Sequence, residues 1–175
     1  MTKKRVLIIY TGGTIGMLPS GAGYKVKKNY LGQCLSKMPE LADATMPEWD
    51  LIEYESLIDS SDANIKFWQK IADDIEKHYQ DYDGFIVLHG TDTMAYTASM
   101  VSFLLEGLAK PVIFTGSQVP LSVIRSDGHN NVVNALYIAA HYKIPEVCIC
   151  FNDSLLRANR ATKISAARFT AFKTF

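Results

Sequence analysis

The sequence has few cysteines, no long apolar run and no excess of either charge, and each shortage excludes something. Three cysteines in 175 residues is an odd number, and Cys148 and Cys150, in VCICF, alternate onto one face of a strand, where a buried thiol acts as a small apolar group. No Cys-x-x-Cys or added histidine ligand lies near them, so a metal or redox pair is not expected. At the N-terminus, MTKKRVLIIYTGG starts with the positive charge of a signal peptide, but its apolar stretch is only Val6 to Tyr10, too short for export. The expectation is a cytoplasmic protein. No segment approaches the ~20 apolar residues of a membrane-spanning helix. Eighteen basic residues balance eighteen acidic ones, with 21% charged residues overall, so there is no global field to draw a polyanion, and neither nucleic acid nor membrane is an expected partner.

What remains is an ordinary soluble composition, 48% hydrophobic, in a chain long enough to bury roughly 70% of its unfolded surface without a disulfide or metal staple. One domain over residues 1–175 is expected. Strand-like runs occur at RVLIIY (5–10), DLIEYES (50–56), GFIVLHG (84–90), KPVIFTG (110–116) and EVCICFN (146–152). Most are continuously apolar, which suits strands covered on both faces and predicts a mostly parallel sheet with helices on each side.

The segments between them read as helices. In ANIKFWQKIADDIEKHYQ, residues Ile65, Trp68, Ala72, Ile75 and Tyr79 form an apolar stripe opposite Lys66, Lys70, Asp73 and Lys77. TMAYTASMVSFLLEGL is apolar on more than one side, with Met94, Ala98, Val101 and Leu105 on one stripe and Met100, Phe103 and Leu104 beside it, and is expected to be more buried. Asp127 stands where it could cap a third helix, GHNNVVNALYIAAHY. The order βαβαβαβ makes the fold class α/β. Residues 17–50, rich in Gly, Pro, Lys and Asn, are expected to hold a mobile loop, one short helix around 30–37 and a hairpin.

Ligands of open parallel sheets bind beyond the carboxyl ends of the strands. Four of the predicted strands run directly into small polar residues: TGGT, DSSD, HGTDT and TGSQ. Any one such loop is more simply a set of turn and cap residues, and Thr91 or Asp92 could merely cap the following helix. Four consecutive loops with hydroxyls on one edge favour a site. TGGTIG lacks both the G-x-G-x-x-G spacing and the Lys-Ser/Thr of a phosphate loop, whereas a threonine on a glycine-rich loop suits attack on a carbonyl. The hydroxyl then needs a base. His78 and His141 fall on helix surfaces, His89 in a buried strand and His129 near a helix start, so a structural role is expected for each. A lysine held by a carboxylate and coupled to a second hydroxyl is the alternative, with Thr91 and Asp92 able to serve as that hydroxyl and carboxylate.

Together, IIYTGGTIG, DSSD, HGTDTMAYTA and PVIFTGSQVPLSVIRSDGHNNVVNAL closely resemble the bacterial L-asparaginases of the cytoplasmic type I group, over Lys4 to the end of the chain. The resemblance implies an L-asparagine amidohydrolase with no cofactor and no metal. It implies Thr14 as the nucleophile that forms an acyl-enzyme and Tyr24 as the residue that closes over it. It assigns Asp59, Ser60 and Ser61 to the substrate α-carboxylate, Asp92 to the α-ammonium, and Thr91, Asp92 and Lys163 to a second triad in which Lys163 takes the proton of Thr91. Ser117 is implied at the amide end of the substrate. Taken alone, Lys163 sits in the basic stretch RANRATK, which reads more simply as a solvated loop. The resemblance further implies a smaller C-terminal domain that residues 1–175 do not include, a homodimer or homotetramer whose sites are completed by a neighbour, and exposed apolar surface where those contacts are missing. Two other readings stay open: a non-catalytic amino-acid-binding fragment, and the ammonia-releasing subunit of a glutamine-dependent amidotransferase.

Overall fold

The computed structural model describes residues 3–21 and 23–175. A strand β1 (Arg5–Gly12) is followed by a hairpin, β2 (Met17–Ser20) with β3 (Gly23–Val26), and by a short helix α1 (Tyr30–Leu35). Then come β4 (Glu48–Ile58), α2 (Ile65–Lys77), β5 (Gly84–Leu88), α3 (Met94–Leu104), β6 (Val112–Thr115), α4 (Gly128–His141) and β7 (Val147–Phe151). The chain continues as β8 (Ser154–Arg157), β9 (Ala161–Lys163) and β10 (Phe172–Thr174). Among the described residues six strands form the main sheet in the order β4-β1-β5-β6-β7-β8. All its pairs are parallel except β7 with β8. The fold is therefore α/β, as the sequence pattern predicts.

The period-2 geometry of a strand divides each apolar run between two cores. Leu7, Ile9, Phe85, Val87, Val112, Phe114 and Ile149 face α2 and α3, where Ile71, Ile75, Ala98 and Val101 meet them. Val6, Ile8, Tyr10, Ile86, Leu88 and Ile113 face α1 and α4, against Leu31, Leu35, Val132 and Leu136. Both faces are buried, which is why these strands carry no polar alternation. Cys148 and Cys150 are both buried, and burial raises their thiols to about 11 and about 12, out of the reactive thiolate range.

Three local expectations are corrected. Ile65 is 73% exposed, because it is the first residue of α2 and projects before the helix meets the sheet; the buried face is Ile71, Ala72 and Ile75. The outer side of α3 is open, with Tyr96, Met100, Phe103 and Leu104 exposed, so this helix is buried on one side only. Asp127 precedes α4 but makes no side-chain cap; its carboxylate accepts instead from the backbone N–H groups of Gln118 and Val119. Asn64 does cap α2, accepting from Phe67 N at 3.2 Å.

The chain order places a topological switch at β1. From β1 the chain moves outward to β4 and then returns across it to β5, so the loops after β1, β4 and β5 surround one crevice at the carboxyl end of the sheet.

Candidate active site

Glycines bring those loops into contact. A side chain on Gly12 would strike the backbone of Ile58, with Ile58 O only 2.3 Å from the Cβ position. One on Gly13 would meet Gly90 N at 2.5 Å, and both residues have φ values, +130° and +90°, that disfavour any other residue. Gly90 packs in turn against Ser60, whose Oγ would lie 2.6 Å from an added Cβ, and Gly116 packs on His89 O. Four chain segments, 12–14, 58–60, 89–91 and 116–118, are thus in van der Waals contact along one edge. Buried Thr11 donates to Leu88 O at 3.0 Å and Thr115 to Cys150 O at 2.7 Å, fastening neighbouring strand ends together.

None of the polar residues between β5 and α3 caps the helix. The N-cap position of α3 is Thr93, and it makes no side-chain cap; its hydroxyl donates to Ser60 O at 2.6 Å and ties the β4 loop to the helix start. Lys163 Nζ, on β9, donates to Thr91 Oγ1 at 2.9 Å and to Asp92 Oδ1 at 2.6 Å. The hydroxyl proton of Thr91 goes to Gln118 Oε1 at 3.1 Å. The turn-and-cap reading of HGTDT is therefore set aside by where its side chains point.

For Lys163 the solvated-loop reading of RANRATK fails for the same reason, although Arg157 and Arg160 of the stretch are exposed. Ala161–Lys163 is a strand, paired antiparallel with β10 so that Lys163 faces Phe172. The Lys163 side chain keeps only 15% of its exposure while Asp92 keeps 67%. Asp92, Tyr96, Thr162, Lys163 and Ser165 line an open cleft of 320 Å³ that does not include Thr14, Ser60, Thr91 or Ser117.

The other expected residues fall as follows. Thr14 is half-buried, at the start of a single 3-10 turn directly after Gly13. Ser60 is buried, at 4% exposure. Asp59 turns its carboxylate onto Ser61, accepting from both the N–H at 2.9 Å and the hydroxyl at 2.8 Å. Those bonds, the backbone one foremost, hold Asp59 below the usual carboxylate range. Its side chain therefore shapes the turn. Ser117 is buried, and its hydroxyl has no partner among the described residues. Tyr24 lies on the β2–β3 hairpin, opposite Pro19 and 55% exposed.

His89 follows β5 directly. It is 1% exposed, held between the rings of Phe67 and Phe114, and its Nδ1 lies 2.7 Å from Gly90 O. Burial pushes it down to about 4, so it is neutral at physiological pH and structural, as expected for a histidine under the loop. Gln118 and Thr93 are residues of this edge that sequence reasoning passed over, and Asp127 it read only as a helix cap. Gln118 and Asp127 sit in or beside the TGSQ loop, yet their partners lie far off in sequence or along the loop, with no periodic signal.

The asparaginase N-terminal family model matches residues 5–175. The chain is 55% identical over 172 residues to "L-asparaginase 1" of Escherichia coli strain K12, covering 98% of this chain and 51% of that protein. It is 45% identical over 191 residues to the "60 kDa lysophospholipase" of Mus musculus, covering 97% of this chain and 34% of that one. The crystal structure of L-asparaginase I from Vibrio cholerae superposes with a TM-score of 0.92 at 51% identity, covering 99% of this chain and 52% of that one. The chain thus spans about half the length of its bacterial relatives.

Proposed function

Because this chain belongs to the asparaginase N-terminal domain family, we propose that it supplies the catalytic half of an L-asparagine amidohydrolase, releasing L-aspartate and ammonia. The observation that carries this reading is the contact of Lys163 Nζ with both Thr91 and Asp92 at the end of the parallel sheet.

In this reading the Thr14 oxygen attacks the side-chain amide carbon and its proton passes through Thr91 toward Lys163. The oxyanion of the tetrahedral intermediate is met by backbone N–H groups near Thr91, at the start of α3, where the helix dipole adds positive potential. Collapse breaks the C–N bond, and the leaving nitrogen takes up a proton to leave as ammonia. The aspartyl ester on Thr14 is then hydrolysed by a water whose proton is taken by the same relay. Asp92, with most of its carboxylate exposed, meets the substrate ammonium. Ser60 donates to the α-carboxylate, and Asp59, which accepts from the N–H and hydroxyl of Ser61, fixes the turn that carries it. Ser117, whose buried hydroxyl lacks a partner among the described residues, faces the amide end, and Tyr24 closes from the hairpin. The chemistry asks for no metal or organic cofactor.

The domain organisation belongs to the same proposal: residues 1–175 form the N-terminal catalytic domain, and a smaller C-terminal domain completes the protein. So do a cytoplasmic location and assembly as a homodimer or homotetramer, for which the exposed apolar side of α3 gives some of the surface. The test is ammonia release from L-asparagine by the protein with and without a C-terminal domain. Loss of release in Thr14→Ala and Lys163→Met supports the assignment. Asparagine binding by calorimetry without turnover in either form favours a non-catalytic binding fragment.

A further inference from the structure

The loop between β6 and α4 is bonded to both threonine segments. Leu121 N donates to Ile15 O at 3.1 Å and the Ser122 hydroxyl donates to Met17 O at 3.2 Å, directly after Thr14. In the other direction Gln118 Oε1 accepts from the Thr91 hydroxyl at 3.1 Å, while Gln118 Nε2 donates to Arg168 O at 3.2 Å. Beneath the loop the carboxylate of Asp127, 9% exposed, accepts from the N–H groups of Gln118 and Val119 and from Asn131 Nδ2 at 3.3 Å.

Proton accounting at Thr91 gives the Gln118 contact a consequence. A threonine hydroxyl has one proton and two lone pairs. While Lys163 is an ammonium it donates to Thr91 Oγ1, and the hydroxyl proton is free to bind Gln118. A free amine keeps two N–H donors and gains one lone pair, and for that lone pair to take the Thr91 proton, Thr91 must turn away from Gln118. The amide cannot reverse to accommodate this, because a flip would set Oε1 against Arg168 O, two acceptors face to face. The Thr91–Gln118 bond therefore opposes transfer of that proton to Lys163.

We propose that Gln118 is a positioning residue for the relay: its side-chain carbonyl holds the Thr91 proton away from Lys163 and so sets the pH at which Lys163 becomes available as a base, with Asp127 keeping Gln118 in place. The inference rests on the reading of Thr91 and Lys163 as a proton relay. The groups facing Lys163 are the Asp92 carboxylate ahead of α3 and Tyr96 on α3, with Thr162 and Ser165 of its own segment. From β10 its partner is the uncharged Phe172, next to exposed Lys173, and Arg168 reaches Gln118 through its carbonyl.

The test uses Gln118→Met, which keeps length and loses the acceptor, and Gln118→Glu, which adds charge to it. Gln118 is half-buried, so the fold tolerates both, which thermal melts check. Competitive acetylation across the alkaline range, read by mass spectrometry on the Lys163 peptide with exposed Lys77 as internal reference, reports the Lys163 titration without turnover. The expected midpoint falls by about half to one pH unit in Gln118→Met, the scale of one lost hydrogen bond, and rises in Gln118→Glu. The pH profile of ammonia release shifts in the same directions. An unchanged Lys163 midpoint in both folded variants overturns the proposal. Shifted midpoints with no ammonia release from any form, the parent included and each joined to a C-terminal domain, uphold Gln118 and reject the asparaginase reading.

Discussion

Lys163 Nζ lies 2.9 Å from Thr91 Oγ1, across 72 residues of sequence. The neighbouring bond to Asp92 is to a carboxylate two-thirds exposed, and such a pair adds only ~0–1 kcal/mol to stability. Lys163→Met is therefore expected to lower ammonia release by about a hundredfold or more, the scale of general acid–base catalysis, while moving the unfolding midpoint little. Activity assays and urea melts on the same preparation separate the two effects. A large stability loss with retained activity would make the lysine a structural strut.

Gly13 carries a second prediction. With φ at +90° and Gly90 N 2.5 Å from the position of an added Cβ, Gly13→Ala forces strain of about 1–3 kcal/mol and separates the Thr14 and Thr91 segments. Stability and turnover should both fall. Gly21→Ala on the hairpin, where an added Cβ meets nothing within 4 Å, is the control and should leave stability near the parent value in a thermal melt.

His89 predicts a pH dependence of folding. Its value falls from an ordinary 6.5 unfolded to about 4 folded because of burial, so the unfolded chain takes up the proton first as the pH drops. Its contribution is complete above about 6.5 and is lost as the pH falls through about 4, on the order of 3 kcal/mol in all. His89→Asn removes the titrating group and should flatten the slope between pH 4 and 6.5 in denaturant melts. Its amide can keep a bond to Gly90 O.

The two-sided strands and the order of elements were legible because a continuous apolar run in a chain of this size has few ways to be covered, and the polar residues at strand ends were legible because they recur at four loops. The short strands β8 to β10 were not. Ser154–Arg157 and Ala161–Lys163 are polar and mixed in pattern, and they become strands by pairing with β7 and β10 rather than by their own propensity. The same distance effect hid Gln118, whose partners are Thr91 and Arg168. Asp127 looks like a cap in sequence, since only the folded loop shows that its carboxylate faces Gln118 and Val119.

The outer side of α3 yields a further prediction. Tyr96 and Phe103 are 70% and 66% exposed, beside Met100 and Leu104, and contiguous apolar surface of this kind promotes association. Phe103→Glu is expected to shift residues 1–175 toward monomer in light scattering and to reduce binding of a hydrophobic dye, with an unchanged thermal midpoint. Identical scattering in both forms would place the association elsewhere.

On this reading Thr14, on the glycine loop after β1, takes the acyl group while Thr91 and Lys163 move protons. Acid-quenching the protein during turnover of L-asparagine and mapping the aspartyl ester by peptide mass spectrometry tests it directly. The ester is expected on the peptide containing Thr14, absent in Thr14→Ala, and accumulating when the relay is weakened. An ester on the peptide containing Thr91, or turnover at the parent rate in Thr14→Ala, would contradict it.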